Sequence, residues 1–197
     1  MGIIAAEEEG ENVDEDENKD VLFKQFSDGR CYILPSFYQM MMYLKRKNKD
    51  FAIIFRSYGE DSEKVINEFN RFCLGTHPCY NGKHNQQQAK FDGTKKNRDY
   101  QISKMKKGIM YRKSKNIEDA ILILGTLEKI NNPKGDLEEQ YQQKGLGHVR
   151  IYRGSAKIHL AIMESLRDSC SLFIKDDYEP WIKHGKQTTF GKPLIVD

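Results

Sequence analysis

The chain is 197 residues long, 38% hydrophobic and 31% charged, with a formal net charge of +3 at pH 7. That length suits one domain with room for an insertion, and the apolar share is enough for a core. No apolar run approaches the ~20 residues a membrane helix needs, so a membrane is not an expected partner.

The small net charge hides an asymmetry. Residues 1–20 hold nine acids against Lys19, and the rest of the chain holds 31 bases and 20 acids. The acidic segment 1–20 has almost no apolar content and reads as a disordered leader. It is the opposite of the basic start of a signal or transit peptide. The four cysteines, Cys31, Cys73, Cys79 and Cys170, form no C-x-x-C pair. Reduced thiols in the cytoplasm, with the cytoskeleton as one location there, are the expectation.

The stretch "VLFKQFSDGRCYIL" (21–34) predicts two short strands around a turn at Ser27, Asp28 and Gly29. Pro35 and Ser36 then open a helix. Phe37, Met40, Met41 and Leu44 share one face at i, i+3, i+4 and i+7. Lys45, Arg46 and Lys47 suit the negative end of its dipole. Residues 51–55 form a continuous apolar run, as for a strand buried on both faces. Asp61 or Ser62 caps a second helix with Val65, Ile66, Phe69, Phe72 and Cys73 inward. Helix, buried strand, helix is α/β grammar.

Residues 74–107 break that grammar, being rich in Gly, Asn, Gln and Lys, and read as an inserted loop. "GIMYRK" (108–113) predicts a strand. "NIEDAILILGTLEKI" (116–130) predicts a helix, with Gly125 costing it stability. A polar excursion follows over 131–147. The grammar then resumes with a strand at 148–154, a helix at 155–168, a strand at 171–175 and a last strand at 193–197.

Parallel α/β sheets place their chemistry at the carboxyl ends of strands. Ser57 follows the strand at 51–55, Lys157 opens the helix after 148–154, and Asp176 and Asp177 follow "LFIK". A hydroxyl and an ammonium suit phosphoryl oxygens, and paired carboxylates suit Mg²⁺. Tyr178 and Trp181 beside the aspartates read as packing on the sheet edge.

The order and spacing resemble the haloacid dehalogenase-like (HAD-like) phosphohydrolase superfamily over about residues 33–73 and 148–197. "FAIIFRS" is similar to its second motif, Lys157 to its third and "LFIKDD" to its fourth. The resemblance implies an α/β three-layer sandwich with a central, mostly parallel sheet, a HAD-like Rossmannoid. It implies a single domain over 21–197 with 74–147 as a cap-like insertion. It also implies that Ser57 bonds the transferring phosphoryl, that Lys157 offsets its charge, and that Asp176 and Asp177 hold Mg²⁺. These are positioning and electrostatic roles, which dominate phosphoryl transfer.

The family's first motif, a strand ending in Asp-x-Asp that supplies the nucleophile, has no counterpart. "GIIAAEEEG" delivers Ala5, Ala6 and Glu7 at that place. The extra methylene of a Glu would misplace the attacking oxygen. The expectation is therefore a pseudophosphatase acting as a protein-interaction subunit of a larger assembly. An active Mg²⁺-dependent phosphatase working through an aspartyl-phosphate is the alternative.

Two further features stand outside the resemblance. Cys73, His77, Cys79 and His84 could hold zinc, but C-x3-H-x-C-x4-H matches no familiar finger, and Cys73 belongs on the buried helix face. Residues 83–115 carry eleven bases and two acids, a stripe suited to an acidic protein surface. Phe91, Tyr100 and Tyr111 are too sparse for stacking single strands, so a basic nucleic-acid-binding module ranks behind a protein partner.

Overall fold

The computed structural model describes residue 24 and residues 31–83, 90–94, 97–112, 116–131 and 135–176. The leader 1–20, the turn at 27–29, His84, Asp177, Tyr178, Trp181 and the expected strand 193–197 lie outside the described residues.

Residues 31–34 form no strand. The amides of Tyr32 and Ile33 turn to the Glu68 carboxylate instead of a ladder. Helix α1 (Pro35–Arg46) begins with proline, whose fixed φ is ready for a first turn, and ends on Lys45 and Arg46. Its buried face is Tyr38, Met41 and Met42, so Met40, expected inward, is 47% exposed. Tyr38 accounts for that rotation. Its ring lies 4.3 Å from that of Phe72 and its hydroxyl donates to Glu68 at 2.9 Å.

Strand β1 (Ile53–Ser57) starts two residues into the apolar run at 51–55. Helix α2 (Ser62–Cys73) follows with Asp61 at its N-cap position, although neither Asp61 nor Ser62 makes a side-chain cap: the Ser62 hydroxyl donates to the Gly59 carbonyl instead. The stretch after α2 is irregular, yet Tyr80, Phe91, Tyr100 and Ile102 lie in the same core as α1 and α2. It is held by backbone partners. The Asn70 amide takes both the N–H and the C=O of Ile102, and Tyr100 Oη donates to the Phe51 carbonyl at 2.8 Å.

Strand β2 (Lys107–Arg112) comes next. The helix predicted at 116–130 is instead a 3₁₀ turn, Ile117–Asp119, leading into strand β3 (Ala120–Leu124). All five residues of β3 are buried. A run of five apolar residues covers both faces of a strand, whereas a helix of that length could not span the sheet. Gly125, at φ +106, ends the strand in a conformation that L side chains rarely adopt. The polar excursion contains a short helix, α3 (Leu137–Gln143), capped by the Asp136 carboxylate on the Glu138 amide. Strand β4 (Arg150–Arg153), helix α4 (Ser155–Ser169) and strand β5 (Ser171–Asp176) complete the described chain.

The five strands form one mixed sheet in the order β1-β5-β2-β3-β4. β1, β5 and β2 run parallel, and β3 is antiparallel to both β2 and β4. The stretch expected as a cap, 74–147, therefore supplies β2, β3 and α3 and is part of the sheet assembly. β2 approaches β3 closely at Gly108, where an added Cβ would stand 2.4 Å from the Ile123 carbonyl oxygen.

Alternation along the strands sorts the core. Ile53 and Phe173 join the α1 and α2 core, and Ile109, Ile121 and Ile123 pack with Leu137 and Tyr141 of α3. Leu122, Leu172 and Ile174 pack with Ile158 and Ala161 of α4. β1 is an edge of the described sheet, so Ile54 is 45% exposed where burial on both faces was expected.

Candidate functional site

The carboxyl ends of β1, β5 and β2 lie side by side, as the parallel register demands. Asp176 ends β5 at 2% exposure. Its Oδ2 accepts from Arg56 Nε at 2.8 Å and from Arg56 Nη2. Its Oδ1 accepts from Arg112 Nε at 3.1 Å. The two arginines come from the strands flanking β5, and the same alternation places all three side chains on the α4 side of the sheet.

Ser57 does not join them. It pairs in register with Lys175, so it points to the face opposite Asp176. Its hydroxyl takes the Gly59 amide at 3.1 Å, a local turn. Lys175 bonds both oxygens of Glu60 at 3.0 Å. Lys157 is exposed on the first turn of α4, after β4. Three strand spacings separate β4 from β5, which is about 14 Å. Mg²⁺ binds carboxylate oxygens together with waters. Here both oxygens of Asp176 already face guanidinium groups, whose positive charge opposes a second cation. The described residues of this corner do not fit a Mg²⁺ site.

A second cluster gathers away from that edge. Ligand atoms of Cys31, Glu68 and His77 all lie within 4.8 Å of one another and could hold a metal ion. Glu68 comes from α2, Cys31 from the stretch before α1, and His77 from the turn after α2. They border a pocket of about 440 Å³ whose rim carries Lys64 and Arg71. The Cys79 thiol lies beside that of Cys31.

No family description, curated protein or solved structure matches the chain.

The cluster's electrostatics follow from burial. Glu68 is 8% exposed. Burial alone would raise its pKa, but His77, the Tyr32 amide and the Tyr38 hydroxyl outweigh it and hold the carboxyl below its ordinary value. His77 Nε2 stands 3.5 Å from Glu68 Oε1. That is close enough to act on the charge, yet without the alignment of a hydrogen bond, and Nε2 has no hydrogen-bond partner among the described residues. Nδ1 accepts the Cys79 amide at 3.1 Å. Burial and then the Glu68 charge raise the Cys31 thiol. Burial, with Cys31 and Glu68 behind it, pushes Cys79 up to about 11. Both are protonated thiols at neutral pH, unsuited as nucleophiles.

The zinc reading of the sequence is thus redrawn. His77 belongs to the cluster and Cys79 stands beside it, while Cys73 is fully buried in the α1 and α2 core, as its helix face predicts. Cys31 and Glu68 were missed. Glu68 carried a signal: it stands three residues after Val65 and four before Phe72, a charge on the apolar face of α2. Cys31 carried none, being distant in sequence.

The basic stripe is partly spent within the chain. Arg98 pairs with Asp50, Lys107 with Glu63 and Arg112 with Asp176, while Lys90 and Lys104 are exposed. Among the described residues no helix is long and apolar enough to cross a membrane.

Proposed function

We propose that this chain is a HAD-like α/β domain that does not transfer phosphoryl groups and works in the cytoplasm as a protein-binding subunit of a larger assembly. The observation that carries this reading is the Asp176 carboxylate held by Arg56 and Arg112. A buried carboxylate matched by two fixed cations serves the fold and leaves little charge for a metal. The separation of Ser57 and Lys157 from Asp176 supports the same reading, because phosphoryl transfer depends on convergent positioning.

The partner would present an acidic surface. Arg98, from the basic stripe, meets Lys45 of α1 and Lys49 beyond it around a pocket of about 320 Å³, where Asp50, paired with Arg98, offsets one of the three positive charges. Lys90 and Lys104 add exposed charge to the stripe. Neither Mg²⁺-dependent hydrolysis nor nucleic-acid binding has a comparable observation behind it.

The test has two arms. An aryl phosphate offered to the full chain with Mg²⁺ should give no turnover above background. Turnover abolished by Asp176→Asn would overturn the reading. In cell extracts the chain should migrate in a complex that dissociates as salt rises and is weakened by Lys90→Glu with Lys104→Glu. Migration as a single chain at low salt, or salt-dependent binding to oligonucleotides instead, would also overturn it.

A further inference from the structure

The cluster of Cys31, Glu68 and His77 joins three stretches that are far apart in sequence. Its donors are sulfur, oxygen and nitrogen, with a second sulfur, that of Cys79, beside the first. Hard cations such as Mg²⁺ and Ca²⁺ take oxygen donors, whereas thiolate and imidazole together select borderline-soft metals.

One atom separates this cluster from an ordinary group of polar side chains. His77 is 1% exposed, and its Nε2 faces Glu68 Oε1 from 3.5 Å without a hydrogen-bond partner among the described residues. A buried imidazole nitrogen left in that state costs free energy. Glu68 Oε1, the nearest acceptor, already takes Ile33 N and Tyr38 Oη and stands too far from Nε2 to complete the bond. Glu68 brings a buried carboxylate and His77 an unbonded ring nitrogen to the same point, and a cation would bind both at once. The pocket above gives it a way in.

From these observations we infer that Cys31, Glu68 and His77, with Cys79 as the fourth donor, form a binding site for a zinc-class divalent cation. The cation ties the stretch before α1 to α2 and to the turn after it. Tetrahedral zinc would hold such donors about 3.3–3.8 Å apart, so Cys31, Glu68 and His77, spread within 4.8 Å, close by about 1 Å on uptake and the Cys79 thiol, which lies outside that group of three, moves in to join them. Cys31 and Cys79 give up their thiol protons to solvent as they become thiolate ligands. With the metal on Nε2, the ring proton moves to Nδ1, and the Cys79 amide gives up its 3.1 Å contact there. Binding therefore releases protons and tightens as pH rises.

The test uses the full chain, kept reduced, stripped with a chelator and titrated with Co²⁺ and then Zn²⁺. One equivalent of Co²⁺ should bind with the visible spectrum of tetrahedral thiolate coordination, and Zn²⁺ should displace it and raise the Tm. Cys31→Ser, at a half-buried position that leaves the core intact, should weaken Zn²⁺ binding at least about tenfold and cut the thiolate-to-cobalt absorption by about half, leaving the share of Cys79. His77→Ala should weaken Zn²⁺ binding as much while keeping both thiolates, and if it does not fold, Cys31→Ser alone decides. A parent chain without the thiolate band would overturn the inference. So would a Cys31→Ser chain that binds Zn²⁺ as tightly as the parent. Either result would leave Glu68 and His77 as a structural buried pair.

Discussion

Two buried carboxylates, Asp176 and Glu68, are met in opposite ways. Asp176 is 2% exposed and lies between two guanidinium groups. Glu68 is 8% exposed and is met by two backbone amides, a tyrosine hydroxyl and an imidazole that stands off at 3.5 Å. In the first case fixed cations supply the countercharge. In the second, hydrogen-bond donors stabilise the anion and no guanidinium or ammonium group bonds it among the described contacts. In the corner that looks catalytic in the sequence, the described carboxylate is thus already paired, whereas the donors that could hold a cation lie in a pocket without a motif.

The largest effect should come from breaking the closed corner. Asp176→Asn leaves Arg56 and Arg112 facing an amide. The loss should be about 2–4 kcal/mol in urea unfolding, below the cost for fully buried pairs because Arg56 is 40% exposed. A loss under about 0.5 kcal/mol would show that the corner contributes nothing to the fold.

Glu68→Gln should cost about 1–3 kcal/mol, since the amide keeps some acceptor capacity but forfeits the charge. It should also change the pH profile. The folded pKa of Glu68 lies below its unfolded value, which is about 4.3. Its contribution is therefore present above that unfolded value and is lost as pH falls through the folded one. The parent should lose stability in this acid range, and Glu68→Gln should lose less. Parallel profiles would contradict the assignment.

Tyr38→Phe removes one hydroxyl from the Glu68 carboxylate and should cost about 1 kcal/mol by thermal or urea unfolding. The smallest effects sharpen the contrast at the sheet edge. Ser57→Ala and Lys157→Ala should each stay within about 0.5 kcal/mol, because the serine makes a local turn and the lysine is exposed. A larger loss for either would show that it reaches Asp176 after all.

Much of the framework was legible because its signals are local. Pro35 marks the start of α1, and the apolar spacing from Val65 to Cys73 marks α2. The strand at 120–124 was not legible. Five apolar residues in a row carry no period, and only the place between β2 and β4 decides that they run extended. At the candidate site, His77 and Cys79 stood out as possible ligands, whereas Cys31 did not. Its relation to Glu68 spans 37 residues with no pattern between.

By itself the sequence determined the α/β class, most of the helices and, to within two residues at each end, four strands, read at 51–55, 108–113, 148–154 and 171–175 and observed at 53–57, 107–112, 150–153 and 171–176. Capping residues and side-chain periodicity act over a few residues, so one segment at a time suffices to read them. Only the tertiary structure decided which strands became neighbours. Placing β5 between β1 and β2 brought Arg56 and Arg112 onto Asp176 and left Ser57 on the opposite face. It also decided that Glu68, a charge on an apolar helix face, would be buried against residues 31–33 and His77. Such encounters depend on which surfaces fit across long separations in the chain, and no local pattern records them.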